Sequence, residues 1–486
     1  MLPSKSTKFF SEVNDLLTSS ERGITRIINL YQQLDLHKIS IGHRDLPQAS
    51  YRRCDLLLCL LLFPVFQLRS VRGYLDSSLS QFFEASKNTL YRLKNDQHIP
   101  WRHILTLVNR RLFKQILLRG DGVQPGSPRC LIVDDTDFAK TSYKTEHVSR
   151  IWSHSLHRTI LGFKALFVGY WDGKSFFALD CSLHKEKGKN VKTPYGLKPK
   201  QHAEQYQMSK EPGSPGSIRE RELNQSKTAM AIQMVIQLLR SGTLSVDYVL
   251  MDSWFFCFDF MQRIRKACTK THLMAMAKMG KTRYVVEGKP LTLSELAEGL
   301  KRQKRVKYNH TLCLYTAEVI ADFKGYPVKF FFCKNSKRGK WHVLVTTNTR
   351  IKVVTAYQTY SIRWSIEVFF KESKQYLGMG KSQSQDFCGQ IADISIAMIV
   401  YNVLSLAKRF EAYETLGMLF REAGQQVTEL TIYKRIWQFI LELLRLLAEI
   451  IDGDFNELIS SHMKQPVEDN KLLRLLEKQE FLKIAS

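Results

Sequence analysis

Apolar residues recur at helical spacing through Phe9–Leu17, Ile24–Leu34, Leu56–Phe66 and Ile104–Leu117, with no strand-like alternation between them. The pattern predicts an all-helical region over residues 1–118. Inside it, SSLSQFFEASKNTLYRLKNDQ reads as a short helix, a polar break at Ser86–Asn88 and a second helix carrying Tyr91, Arg92 and Lys94. That is compatible with a DNA-reading helix-turn-helix, although two helices that merely pack give the same pattern. The texture changes after GDGVQPGSP. RCLIVDD is a short buried strand, GFKALFVGYWDGKSFFALDCSLH a hairpin turning at Asp172–Gly173, and VDYVLMD and THLMAMAK are two further strands. Lys185–Ser217, rich in Lys, Pro and Gly, predicts a mobile loop, and a helix follows over Ile218–Leu239.

From about residue 280 to 350 the chain alternates strand and turn, after which helices resume near Tyr357 and continue to the end. Hairpin first, then helices alternating with strands, implies a mixed sheet with helices packed against it. The segment TIYKRIWQFILELLRLLAEII is strongly amphipathic and suits either a core or a partner surface.

Charge sharpens this picture. Lys and Arg number 72 against 46 Asp and Glu, a formal excess of +26 on 486 residues. An excess of that size repels itself in a compact fold and points to a polyanionic partner, DNA, RNA or an anionic membrane surface. The membrane is the weaker reading: the longest apolar run, Leu56–Phe66, is about half a span and contains Pro64. The opening MLPSKSTKFFSEVND has no apolar stretch after its charges, so no signal peptide is expected. Nine scattered cysteines without a CxxC pair read as reduced thiols and argue against structural zinc. His154 and His157 carry metal-like spacing only superficially.

Asp135 ends the first strand and Asp252 ends a later one, where carboxylates emerge at the edge of the apolar sheet. Either alone is unremarkable, since strands often end in Asp. The segment YQTYSIRWSIEVFFKESKQYLGM adds weight. On one helix Tyr360, Arg363, Glu367 and Lys374 fall on a stripe roughly 60° wide. Ile362, Ile366, Phe369 and Phe370 point the other way. A carboxylate flanked by guanidinium, ammonium and phenol suits metal-assisted phosphodiester chemistry: the carboxylate ligates a hard cation and the neighbours grip phosphates.

These residues resemble the signature of the bacterial DDE transposases of the insertion-sequence-four type: Tyr, two residues, Arg, three residues, Glu, six residues, Lys. Tyr360, Arg363, Glu367 and Lys374 match it without a gap. The family's first Asp immediately precedes a Thr, which selects Asp135 over Asp134 and Asp137, and its second Asp matches Asp252. The resemblance covers roughly residues 125–405. It implies an RNase H-like α/β fold, a mixed sheet with helices interrupted by a β-strand insertion, for which the 115-residue interval from Asp252 to Glu367 leaves room. Asp135, Asp252 and Glu367 would be the catalytic and metal residues, binding two Mg²⁺ ions, with Mn²⁺ able to substitute. Tyr360, Arg363 and Lys374 would contact DNA. In hairpin-forming relatives a Trp in a Lys-Trp-aliphatic context stacks on a flipped base; Trp341 sits similarly, although packing within a hairpin explains it equally well.

The expected organisation is a helical DNA-binding segment (1–118), a first catalytic part (119–279), a β-rich insertion (280–351), a second catalytic part (352–410) and a helical C-terminal segment suited to dimerisation (411–486). The expected partners are double-stranded DNA, as terminal inverted repeats and target, and a second copy on paired ends, in a bacterial cytoplasm at the nucleoid and not at a membrane. A resolving or repair nuclease on the same fold, or a domesticated DNA-binding protein, are the rival readings.

Overall fold

The computed structural model describes residues 85–120 and 122–410, most of 51–75 and isolated positions between 31 and 41. The expected helix over Phe9–Leu17, most of Ile24–Leu34, the first partner of the helix-break-helix pair and the C-terminal segment 411–486 lie outside the described residues.

The chain begins with α1 (Arg53–Val65), α2 (Val71–Leu75), α3 (Lys87–Asn95) and α4 (Trp101–Arg119). The polar break anticipated at Ser86 is the cap of α3: its hydroxyl accepts from the Thr89 N–H at 3.3 Å. Strands β1 (Cys130–Ala139), β2 (Ser149–Ser153), β3 (Arg158–Trp171) and β4 (Phe176–His184) follow. Then come α5 (Pro199–Ala203), α6 (Pro215–Glu222), α7 (Lys227–Arg240), β5 (Tyr248–Met251), α8 (Phe258–Ala267) and β6 (His272–Ala277). The β-rich stretch supplies β7 (Arg283–Val286), β8 (Lys289–Thr292), α9 (Leu293–Arg302), β9 (Lys307–Asn309), β10 (Leu314–Phe323), β11 (Tyr326–Lys334) and β12 (His342–Thr346). Helices α10 (Val353–Ser361), α11 (Trp364–Tyr376) and α12 (Phe387–Phe410) complete the described chain.

Twelve strands form one mixed, mostly antiparallel sheet in the order β2-β3-β1-β5-β6-β12-β11-β10-β7-β8, with β4 on β3 and β9 on β10. Its only parallel pairs among the described strands are β1 with β5 and β5 with β6. The β-rich stretch is not a separate layer: β12 pairs antiparallel with β6 and carries the sheet onward.

Two helical layers meet the central strands. Leu131, Val133, Leu166, Val168, Val249 and Met251 pack with α7 residues Met230 and Met234 and α8 residues Phe260 and Ile264. On the other face, Phe167 of β3 stacks edge-on against Phe369 and Phe370 of α11 at 5.5 and 5.3 Å. Helix α12 is long and apolar enough to cross a membrane, yet almost all of it is buried against α1, α3, α4, α11 and β4. It is a core helix.

Three features depart from expectation. The helix over Ile218–Leu239 is two, because Glu222 ends α6 in a buried network with Arg102 (2.7 Å) and Arg219 (3.1 Å). The loop 185–217 contains α5 and the start of α6. The single helix over Tyr360–Lys374 is α10 and α11, joined through a tight turn in which the Arg363 N–H donates to the Tyr360 carbonyl at 3.0 Å. Ile362 and Arg363 keep helical dihedrals, so Tyr360 and Lys374 still bracket Glu367 along one path.

Candidate active site

Neighbouring residues of a strand face opposite sides of a sheet, and β1 carries two consecutive aspartates at its middle: Asp135 does not end the strand as expected, because pairing with β3 continues to Ala139. Asp134 pairs across the ladder with Phe167, whose ring meets α11, whereas Asp135 pairs with Leu166, which belongs to the α7–α8 core. The parallel register sets Val133 opposite Met251, so Asp252, the first residue after β5, lies level with Asp134 on β1, which runs on past it. Asp252 folds its Oδ1 back onto the N–H groups of Trp254 (2.8 Å) and Phe255 (3.4 Å), fixing its carboxylate at the strand end.

Helix α11 crosses this point. Arg363 donates from one terminal nitrogen to Asp134 Oδ2 at 3.0 Å and from the other to Glu367 Oε1 at 2.6 Å. Burial, partly offset by Arg363 and reinforced by Asp252, pushes the Asp134 carboxyl up to about 7. The Tyr360 hydroxyl donates to the Met251 carbonyl at 3.3 Å, and burial, opposed by Arg363 and reinforced by Asp252, pushes it up to about 12. Lys374 donates to Thr136 Oγ1 at 2.6 Å and to the Asp137 carbonyl at 3.1 Å; burial lowers its ammonium below the ordinary value.

The structure therefore gathers Asp252, Tyr360, Arg363 and Glu367 at one corner, with Asp134 among them. Asp135 lies on the opposite face, ion-paired with Lys227 at 2.7 Å. Oxygen donors from two strands and a helix suit a hard divalent cation, and Arg363, with one guanidinium already spanning two of the carboxylates, marks where positive charge is held.

Other expected contacts fall elsewhere. Trp341 packs edge-on against Phe332 at 5.9 Å, with Lys334 and Lys301 at 4.6 and 6.0 Å from its ring centre. Tyr91 is half-buried and Arg92 exposed on α3, while Lys94 is buried and ion-paired with Asp393 of α12 at 2.6 Å. The aromatic that does stand at the corner is Trp254, 50% exposed two residues beyond Asp252, with Lys278 at 4.8 Å and Lys227 at 5.1 Å from its ring centre. Sequence reading passed over it, though its place just after a strand-end Asp was a usable signal.

A second acidic group, Glu146, His147 and Glu220, brings three possible ligand atoms within 4.8 Å of one another. Lys210 pairs with Glu146 at 2.7 Å and reaches Glu220 at 4.0 Å. The Lys210 ammonium already occupies the side of that cluster between its two carboxylates.

Comparison with known proteins gives two family matches. A family described as DDE superfamily endonuclease matches residues 31–310, more than half the chain, and one described as transposase DDE domain matches residues 218–403. No curated protein matches the sequence. Among solved structures, a piggyBac transposase synaptic complex with hairpin DNA, determined by cryo-electron microscopy, is similar at a TM-score of 0.39 and 12% identity, over 89% of this chain and 81% of that one.

Proposed function

From the premise that the chain belongs to the DDE superfamily of endonucleases and is a DNA-cleaving transposase, we propose that it binds the terminal inverted repeats of its own element. It excises the element and joins the resulting 3′-hydroxyl ends to target DNA. The observation that carries this reading is the corner where Arg363 spans Asp134 and Glu367 beside the strand-end carboxylate of Asp252.

In this reading Asp252, Glu367 and an aspartate of the Asp134–Asp135 pair hold two Mg²⁺ ions, replaceable by Mn²⁺; the resemblance favours Asp135. Such ions, when bound, promote attack by water or a 3′-hydroxyl and stabilise the leaving oxygen. The chain's own residues do the rest. Arg363 moves from carboxylate to phosphate, a fork that suits two phosphate oxygens. Tyr360 offers its hydroxyl on the same side. Lys374, held by β1, keeps α11 aligned so that Glu367 stays at the corner. No protein nucleophile is needed, and release of the element through a hairpin belongs to the same proposal.

The fold we assign is RNase H-like, with the insertion strands lengthening its sheet. The segment before residue 118 would contact the repeats through Tyr91 and Arg92, and the segment 411–486 would join two copies on paired ends. A bacterial, nucleoid-associated setting follows from the insertion-sequence resemblance. The excess of +26 supplies the attraction for DNA. The test is cleavage of linear DNA bearing the sequences that flank the coding region. Nicks at the repeat termini in Mg²⁺, lost on chelation and in Glu367→Gln, are expected; cleavage that survives both would contradict the proposal.

A further inference from the structure

We propose that Asp134, and not the neighbouring Asp135, supplies the β1 carboxylate of the cation site, and that Asp135 is a structural partner of helix α7. The inference rests on the proposed metal-dependent function and departs from the assignment that the Asp-Thr resemblance gives.

Four observations carry it. Strand alternation sends residues 134 and 135 to opposite faces of the sheet. Their ladder partners confirm the parity, since Phe167 opposite Asp134 meets Phe369 and Phe370 of α11 while Leu166 opposite Asp135 lies in the α7–α8 core. Register puts Asp134 level with Asp252, one step beyond the pair Val133–Met251. Finally, one guanidinium, that of Arg363, touches both Asp134 (3.0 Å) and Glu367 (2.6 Å). A hard dication binds oxygens at about 2 Å, so its ligands must converge from one side. Asp134 converges with Glu367; Asp135 faces the α7 side of the sheet, where it pairs with Lys227.

Asp135 has a different task. Lys227 is the first residue of α7 and puts a positive charge at the positive end of that helix's dipole. The Asp135 carboxylate, 2.7 Å away, cancels it and ties the helix to the sheet. Both groups are largely buried, with 17% of each side chain exposed. Removing one partner leaves the other charge stranded.

The experiment measures Mn²⁺ binding to the full chain by electron paramagnetic resonance, alongside thermal unfolding. Asp134→Asn is expected to weaken Mn²⁺ at least tenfold, as Glu367→Gln and Asp252→Asn do. Asp135→Asn is expected to keep Mn²⁺ affinity within about twofold of wild type while lowering Tm. Because Asp134→Asn could fail to fold, cysteine variants give a second readout. A thiolate at the site shifts preference toward soft Cd²⁺, so Asp134→Cys should gain Cd²⁺ affinity and Asp135→Cys should not. Loss of Mn²⁺ in Asp135→Asn with retention in Asp134→Asn, or a Cd²⁺ gain at position 135 alone, would overturn the proposal. If Glu367→Gln and Asp252→Asn also left Mn²⁺ binding intact, the functional reading itself would fail, an outcome distinct from a wrong choice between the two aspartates.

Discussion

Lys374 Nζ donates to Thr136 Oγ1 at 2.6 Å, pinning the helix that carries Glu367 onto the strand that carries the aspartate pair. The ammonium also lies 5.6 Å from the centre of the Phe138 ring. It is therefore part of the frame that sets the spacing between strand and helix.

Lys374→Ala should lower stability by roughly 2 kcal/mol, because a half-buried hydroxyl and a carbonyl lose a charged donor together. Thermal unfolding of the DNA-free protein checks this. An unchanged Tm with weakened DNA binding would make Lys374 a phosphate contact alone.

Trp254 and Trp341 should separate in the same way. Trp254→Ala is expected to weaken binding of a DNA end with an unpaired base by about 1–3 kcal/mol, the usual worth of base–aromatic stacking, with Trp254→Phe restoring most of it. Trp341→Ala should instead lower Tm, since its ring packs on Phe332. Fluorescence of 2-aminopurine at the terminal position reads the first effect. A signal that responds to Trp341→Ala and ignores Trp254→Ala would reverse the assignment.

His184 predicts a pH dependence. Burial is the main cause that holds its imidazole down, from 6.5 to about 4, with Nδ1 against the Gln225 carbonyl at 3.1 Å. The folded chain thus keeps His184 neutral where the unfolded chain takes up a proton. The stability it confers is complete above pH 6.5 and is lost as pH falls from 6.5 toward 4. At full extent the loss is on the order of 3 kcal/mol. Comparing Tm at pH 7.5 and 5.0, wild type should fall further than His184→Gln. Parallel falls in the two proteins would contradict this.

The charge excess predicts steep salt dependence. If six or more phosphates are neutralised, DNA affinity should drop by about a thousandfold or more between 50 and 200 mM salt. A titration series measures the slope; a shallow one would mean that the basic residues face elsewhere.

The sequence patterns disclosed much of this architecture and less of the site. Alternation and turn residues located β1, β3–β4, β5 and β6, and the Tyr-Arg-Glu-Lys spacing located the α11 corner. The face of each aspartate was hidden, because CLIVDD is apolar on both sides of the sheet and its parity cannot be read from an unbroken run. The parallel register of β1 with β5 depends on a partner more than a hundred residues away, which no local pattern encodes. The break between α10 and α11 was hidden too, since Ile362 and Arg363 retain helical dihedrals and only the hydrogen bonds shorten. The same distance in sequence concealed how the β-rich stretch extends the sheet: β12 finds β6 only after the chain has left it and returned.

The central claim is that this corner performs metal-dependent strand joining, and strand transfer measures it most directly. Pre-cleaved DNA ends carrying the sequences that flank the coding region are incubated with supercoiled plasmid and Mg²⁺. Covalent end–plasmid joints that form with wild type and disappear with Glu367→Gln are the predicted result. Cleavage without any joined product would point to a resolving nuclease, and joints made equally well by Glu367→Gln would contradict the account.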